Sequence, residues 1–337
     1  MKDLLMKLSA AFGPAGSEED VRAIAQAELA RVAADVRVDT MGNLLARVGP
    51  KGRGTKGGRK VLLTAHLDEV GLVITNVDKN GYLRFGALGR FDPHLAFGQR
   101  VRFANGITGV IGAEPLDEIQ NLRADKLYID IGASSEAEAR KLVNPGDAAA
   151  YDRQPALLGT RLTGNAAGSR AAVAVLLQAL KELKSTPHEV YVAFTTQKEV
   201  GSRGVRPAVF GVEPDLALVL DATATGDTPE AKRMEVSLGK GPAVKVKDQS
   251  GIAHPAVRRA LTAAAEKAGK PVQFEVLEGA GSELGVVQMS KGGVPTSGLA
   301  IPTRYRFSPT EVVDIGDLQA MVTVLVQFLK DPVDLTV

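Results

Sequence analysis

The strongest constraint in this sequence is a change of rhythm. Apolar runs of strand length, such as Val61 to Ala65 (VLLTA), alternate with helical apolar spacing in both flanks of the chain, and the alternation stops between about Leu72 and Asp152. An apolar run without polar alternation is what a strand covered on both faces looks like. Such strands, alternating with helices, imply a largely parallel sheet, because each parallel return needs a crossover long enough to hold a helix.

Helical spacing is expected over Val21 to Val32, with Ser17 and Asp20 as its cap, and over Ala166–Leu183, Pro255–Ala268 and Asp314–Leu329. Strands are expected at Val36–Asp39, Leu44–Val48, Val61–Ala65, Val190–Thr195, Leu216–Asp221, Val272–Leu277 and Thr296–Ile301. The middle stretch reads differently: LVITNV, YLRF, QRVRF and LYIDIG are short strands, with DKNG and ANG as hairpin turns, and only Ser135–Leu142 looks helical. The fold class is therefore α/β, a mixed, largely parallel sheet covered by helices over 1–71 and 158–337, with a small β-rich domain inserted at 72–157.

Composition removes several function classes. Cysteine is absent, so disulfides and thiolate metal sites are excluded. The net charge of +2 gives no basic field for nucleic acid. The one basic run, Lys51 to Lys60, is glycine-rich and reads as a solvated loop. No apolar run approaches the roughly 20 residues of a membrane helix. MKDLLMKLSAAF is too short and too interrupted by Lys for a signal peptide, so a cytoplasmic protein is expected.

In covered sheets of this kind ligands bind beyond the carboxyl ends of the strands. Three strand ends carry candidate groups: His66 with Asp68 two residues on, Glu199 in TQKEVG, and Asp221. One His and two carboxylates at adjacent strand ends are a potential zinc site, with Asp68 fixing the imidazole tautomer. The same residues also suit capping or paired surface groups, and residue types alone leave both open.

The motifs GNLLARV, AHLDEVG, RFDPHLAFGQRV, TTQKEVGSRG, DATATGDTP, LGKGP, GVPTSGLAIPTRY and SPTEVVD carry a resemblance nearly end to end. The chain resembles the tetrahedral or glutamyl aminopeptidases, metallopeptidase family 42. The resemblance implies a zinc-peptidase-like α/β domain with an inserted β-barrel, and dodecameric particles built from dimers. It implies two metals (zinc, cobalt or manganese) with His66, Asp221 and Glu199 at ligand positions.

The same resemblance exposes three departures. The bridging Asp falls at Gly168, the general base at Lys198 and a ligand His at Phe307. A milder change is Ser282-Glu283 in place of Thr-Asp, and Arg304 opens the RYRFSP run that holds Phe307. A catalytic zinc normally has three protein ligands, and neither metal keeps that many here. The expected cofactor is none, or one weak divalent metal at His66 and Asp221. Lys198 is expected to pair with Glu199 and Asp221. The expected function is a non-catalytic aminopeptidase homologue with a scaffold, peptide-binding or regulatory role. The alternative is an active aminopeptidase with one metal or altered chemistry. Expected partners are copies of itself, in dimers or a dodecamer, or an active paralogue, with a peptide as candidate ligand. Restoring Gly168→Asp, Lys198→Glu and Phe307→His together is expected to recreate metal binding.

Overall fold

A computed structural model describes residues 1–50, 57–115, 118–231 and 233–336. Most of the basic loop at 51–60 lies outside the described residues. The main sheet has eight strands, in the order Ala34–Val38, Leu44–Val48, Glu189–Thr195, Lys60–His66, Leu216–Thr223, Thr296–Pro302, Ala243–Lys247 and Gln273–Val276. The third to sixth strands run parallel, with antiparallel pairs flanking them. Those four parallel strands are the continuous apolar runs of the sequence, and Leu216–Thr223 is buried throughout.

Helices cover both faces. On one, Ala167–Glu182 and Ile315–Lys330 pack with Lys2–Ala10 and Glu19–Leu29. On the other, Val205–Val212 and Leu284–Gln288 pack against Leu62, Ala193, Ala217 and Val219. The helix Ala167–Glu182 is buried at every residue from Ala167 to Leu177. Each fully buried Val or Leu there contributes about 1.5–3 kcal/mol, so the start of this helix, which borders the site, has little freedom to move.

The segment that broke the α/β rhythm forms a closed six-stranded barrel between Gly71 and Tyr151. Its interior is a separate apolar cluster that includes Leu72, Ile74, Val101, Ile111 and Ile129. After the barrel, Ala156–Leu158 pairs with Arg161–Gly164, which in turn pairs with Glu311–Asp314.

Several local expectations need correction. Ser17 does not cap the second helix: the helix begins at Glu19, and the Glu18 carboxylate accepts from the backbone N–H of Gly16 and Gln197. The expected helix at Ser135–Leu142 shrinks to Glu136–Ala139, capped by Ser135. The helices Lys2–Ala10 and Val205–Val212 and the strand Ala243–Lys247 are not legible in the sequence, because each is short and lies among Gly, Pro or charged residues.

Candidate active site

Strand register brings the site together. Thr195 pairs with His66 and Leu220 with Ala65, so the carboxyl ends of three adjacent parallel strands deliver His66, the Lys198–Glu199 turn and Asp221 to one place. A small cleft of about 30 Å³, open to solvent on one side, lies there, lined by these residues together with Glu69, Asn165, Ala166, Arg306, Phe307 and Glu311.

His66, Lys198, Glu199 and Asp221 are paired to one another. Lys198 Nζ lies 3.0 Å from Glu199 Oε1 and 3.4 Å from Asp221 Oδ2. His66 Nε2 lies 3.4 Å from Asp221 Oδ1 and 3.9 Å from Glu199 Oε1. On the other side of the ring, Nδ1 is 3.3 Å from Asp68 Oδ1. Asp68 also makes tighter bonds elsewhere. Its carboxylate accepts from the backbone N–H of Lys198 at 2.9 Å and of Glu199 at 2.8 Å. It therefore fixes the turn that carries both side chains, whether or not the imidazole binds anything.

Charge states follow from this packing. Burial is the largest influence on Lys198 and opposes its charge, but Asp221 and Glu199 outweigh it, and the ammonium is held above the usual lysine range. Burial and then Lys198 oppose protonation of His66, yet contacts with Asp221 and Asp68 prevail and raise its pKa to about 10. Burial likewise works against the charge of Asp221, but Lys198 and His66 hold its carboxyl well below the usual range. The cluster is thus a set of interlocked ion pairs among largely buried side chains.

The two metals implied by the resemblance do not fit these side chains. The ammonium of Lys198 stands against both carboxylates that would be ligands, Glu199 and Asp221. The place of the bridging carboxylate is filled as well: a β-carbon on Gly168 would lie 2.6 Å from the Ala222 methyl group and 2.7 Å from Thr303 Oγ1. Among the described residues, no group of three or more His, Asp or Glu is arranged to hold a metal ion.

Comparison with known proteins gives this geometry its context. Residues 42–324 match the M42 glutamyl aminopeptidase family. The chain belongs to that family. A putative aminopeptidase of Acetivibrio thermocellus is 42% identical over 328 residues, covering 97% of this chain and 98% of that protein. The structure of an aminopeptidase from the archaeon Desulfurococcus kamchatkensis superposes with a TM-score of 0.92 at 34% identity, covering 97% of this chain and 94% of that one. A TET1 peptidase of Pyrococcus horikoshii, described as assembling into a tetrahedron or a large octahedral shell, matches with a TM-score of 0.85 at 31% identity, over 98% and 99% of the two chains.

The M42 frame brings most residues singled out in the sequence to the cleft or its wall. His66, Lys198, Glu199, Asp221 and Phe307 line it. Gly168 starts the helix behind it, and its N–H donates to Glu311 Oε2 at 2.9 Å. Glu283 is buried below His66, where it accepts from Thr195 Oγ1 at 2.6 Å. Arg304 is the exception. It makes a two-pronged pair with Asp227, at 3.0 and 2.8 Å, and does not line the cleft. Of the other histidines, His188 bonds to the backbone of Arg59 and Asp331, and neither it, His94 nor His254 reaches the cleft.

Two cleft residues are not evident from the sequence. Glu311, in SPTEVVD, accepts from the N–H groups of both Gly168 and Phe307 and ties the Phe307 loop to the helix start. Arg306 lies with its guanidinium carbon 4.7 Å from the Phe307 ring centre, and Arg90 of the barrel lies 5.2 Å from the same centre. The SPTEVVD motif signals family resemblance without pointing to Glu311 itself. Arg306 gives no signal, because nothing in RYRFSP distinguishes an arginine facing a cleft from one facing water.

Proposed function

We propose that this M42 protein is a non-catalytic aminopeptidase homologue, with a binding, scaffold or regulatory role in place of two-metal peptide hydrolysis. The observation that carries the reading is the Lys198 ammonium between Glu199 and Asp221. It supplies the positive charge that metals would otherwise bring to these carboxylates, and its pairing with them weighs against a role as general base. A base has to accept a proton near the operating pH, and the surroundings of Lys198 drive its pKa up. Phe307 offers no ligand, and packing against Gly168 excludes a bridge.

One observation favours the alternative, a hydrolase with one metal: the buried Nε2 of His66 makes no hydrogen bond among the described residues, and Asp221 is beside it. The pairing of Asp221 with Lys198 weighs against it. The decisive experiment is an assay of the purified protein, saturated with zinc, cobalt or manganese, on a panel of aminoacyl p-nitroanilides and peptides with lysyl and glutamyl N-termini. Absence of release across the panel supports the proposal; metal-dependent release of N-terminal residues sinks it.

We further propose a homo-oligomer built from dimers, up to a dodecamer, or co-assembly with an active paralogue. The shells described for the Pyrococcus horikoshii TET1 peptidase support this, as do exposed apolar side chains such as Leu95, Phe97 and Leu158. Sedimentation of the protein alone and mixed with a paralogue distinguishes the two. A monomer under both conditions contradicts both. No described helix is long and apolar enough to cross a membrane, and a cytoplasmic location remains part of the proposal.

A further inference from the structure

The acids of the cleft are all committed. Asp221 meets His66 and Lys198, Glu199 meets Lys198, and Glu311 accepts two backbone N–H groups. One of the cations is not. Lys198 is taken up by its two carboxylates, but Arg306 has neither an acceptor nor an ion-pair partner among the described residues, and its one contact of note is the face of Phe307. Stacking uses the π face of a guanidinium and leaves the donor edge, with its N–H groups in a fixed fork, open. Phe307 is itself held: its N–H donates to Glu311 at 2.9 Å, and Arg90, anchored to Gly279 O at 2.8 Å, lies over the same ring. Arg306 thus offers the cleft an uncommitted, pre-positioned guanidinium, and the group that such a fork recognises best is a carboxylate.

We propose that the cleft binds the α-carboxylate of an amino acid or peptide, with Arg306 as its seat and Phe307 as the platform that orients Arg306. The ligand then enters carboxylate first, opposite to an aminopeptidase substrate, whose free amine faces the catalytic groups. This seat rests on the metal-free reading of the site given above. Its test is binding in the presence of a chelator, without turnover, so the two can fail separately.

The experiment is calorimetric titration of the full-length protein in EDTA with L-alanine, N-acetyl-L-alanine and trialanine, each beside its C-terminal amide. The acids are expected to bind and the amides not, with N-acetylation tolerated. Binding of only the free amino acid or only the tripeptide also supports the seat, and says which source supplies the carboxylate. Arg306→Gln is expected to weaken binding of N-acetyl-L-alanine by about tenfold to a hundredfold, the scale of a lost charge-assisted hydrogen bond. Arg306→Lys, which keeps the charge and loses the fork, is expected to lie between. Should either variant fail to fold, the acid-against-amide comparison on the unsubstituted protein decides alone. Equal binding of acids and amides, no binding of any acid, or unchanged affinity in folded Arg306→Gln overturns the proposal.

Discussion

Gly168 and Ala222 stand so close that a β-carbon on Gly168 would lie 2.6 Å from the Ala222 methyl group. Real β-carbon contacts do not approach that closely, so an aspartate here has to push back either the buried helix start or the strand end that carries Asp221. Gly168→Asp alone is expected to destabilise the protein by about 1–3 kcal/mol, the usual cost of overpacking. This revises the triple restoration expected from the sequence. Gly168→Asp with Lys198→Glu and Phe307→His is expected to remain poor at binding zinc until Ala222→Gly and Thr303→Ala are added. Thermal denaturation with and without zinc checks both statements. A triple variant as stable as the parent and fully metal-loaded contradicts them.

Lys198 is the second test of the packing. Its removal leaves the buried Asp221 and the half-buried Glu199 with His66 beside them and Arg306 acting on Asp221 without an ion pair. Breaking a buried pair from one side costs about 3–5 kcal/mol, so Lys198→Met is expected to lower the unfolding free energy by that order at pH 7. Chemical denaturation measures it. A change below about 1 kcal/mol would mean that the ammonium is a passive surface charge.

Backbone conformation offers a prediction of opposite sign. Ala166, at the head of the helix that starts beside the cleft, has φ of +50°, in the left-handed region. An alanine there costs about 1–2 kcal/mol, and glycine is free of that cost but loses more chain entropy on folding. Ala166→Gly is expected to be neutral or stabilising by up to about 1 kcal/mol, unlike most glycine substitutions at a helix end. A clear fall in Tm contradicts the assigned conformation.

The pair Asp227–Arg304 sets one pH dependence. Burial works against the Asp227 charge, but hydrogen bonds from Arg304 and from the Leu238 N–H outweigh it and lower the carboxyl to about 2. A depressed carboxylate stabilises the fold above its unfolded value, about 3.9. That contribution, at most about 2 kcal/mol and reduced by solvent screening, fades as pH falls from there through about 2. Asp227→Asn is expected to flatten the stability profile over that window, as measured by urea denaturation at stepped pH. An unchanged profile contradicts the assignment.

These cases show where sequence suffices and where it does not. The parallel strands are legible because they are apolar without interruption, and their ends name His66, Glu199 and Asp221. The barrel is legible from its turns, DKNG and ANG. The pairing of Lys198 with two acids follows from charge alone. What escapes depends on three-dimensional proximity. Gly168 reads as a missing ligand, but not as a filled space, since Ala222 and Thr303 lie in and just after strands far away in the chain. Asp68 reads as a partner for His66, whereas its shorter bonds hold the Lys198–Glu199 turn. Arg304 and Arg306 are two residues apart and indistinguishable by type, yet one is spent on Asp227 and the other faces the cleft.

The central claim is that Lys198 takes the place of metal charge in an M42 frame. The most direct measurement is zinc stoichiometry by equilibrium dialysis at neutral pH, on the unsubstituted protein after chelation. The account predicts less than one zinc per chain, with no change when His66 is replaced by Ala. Two zinc ions per chain, both lost in His66→Ala and Asp221→Ala, would contradict it.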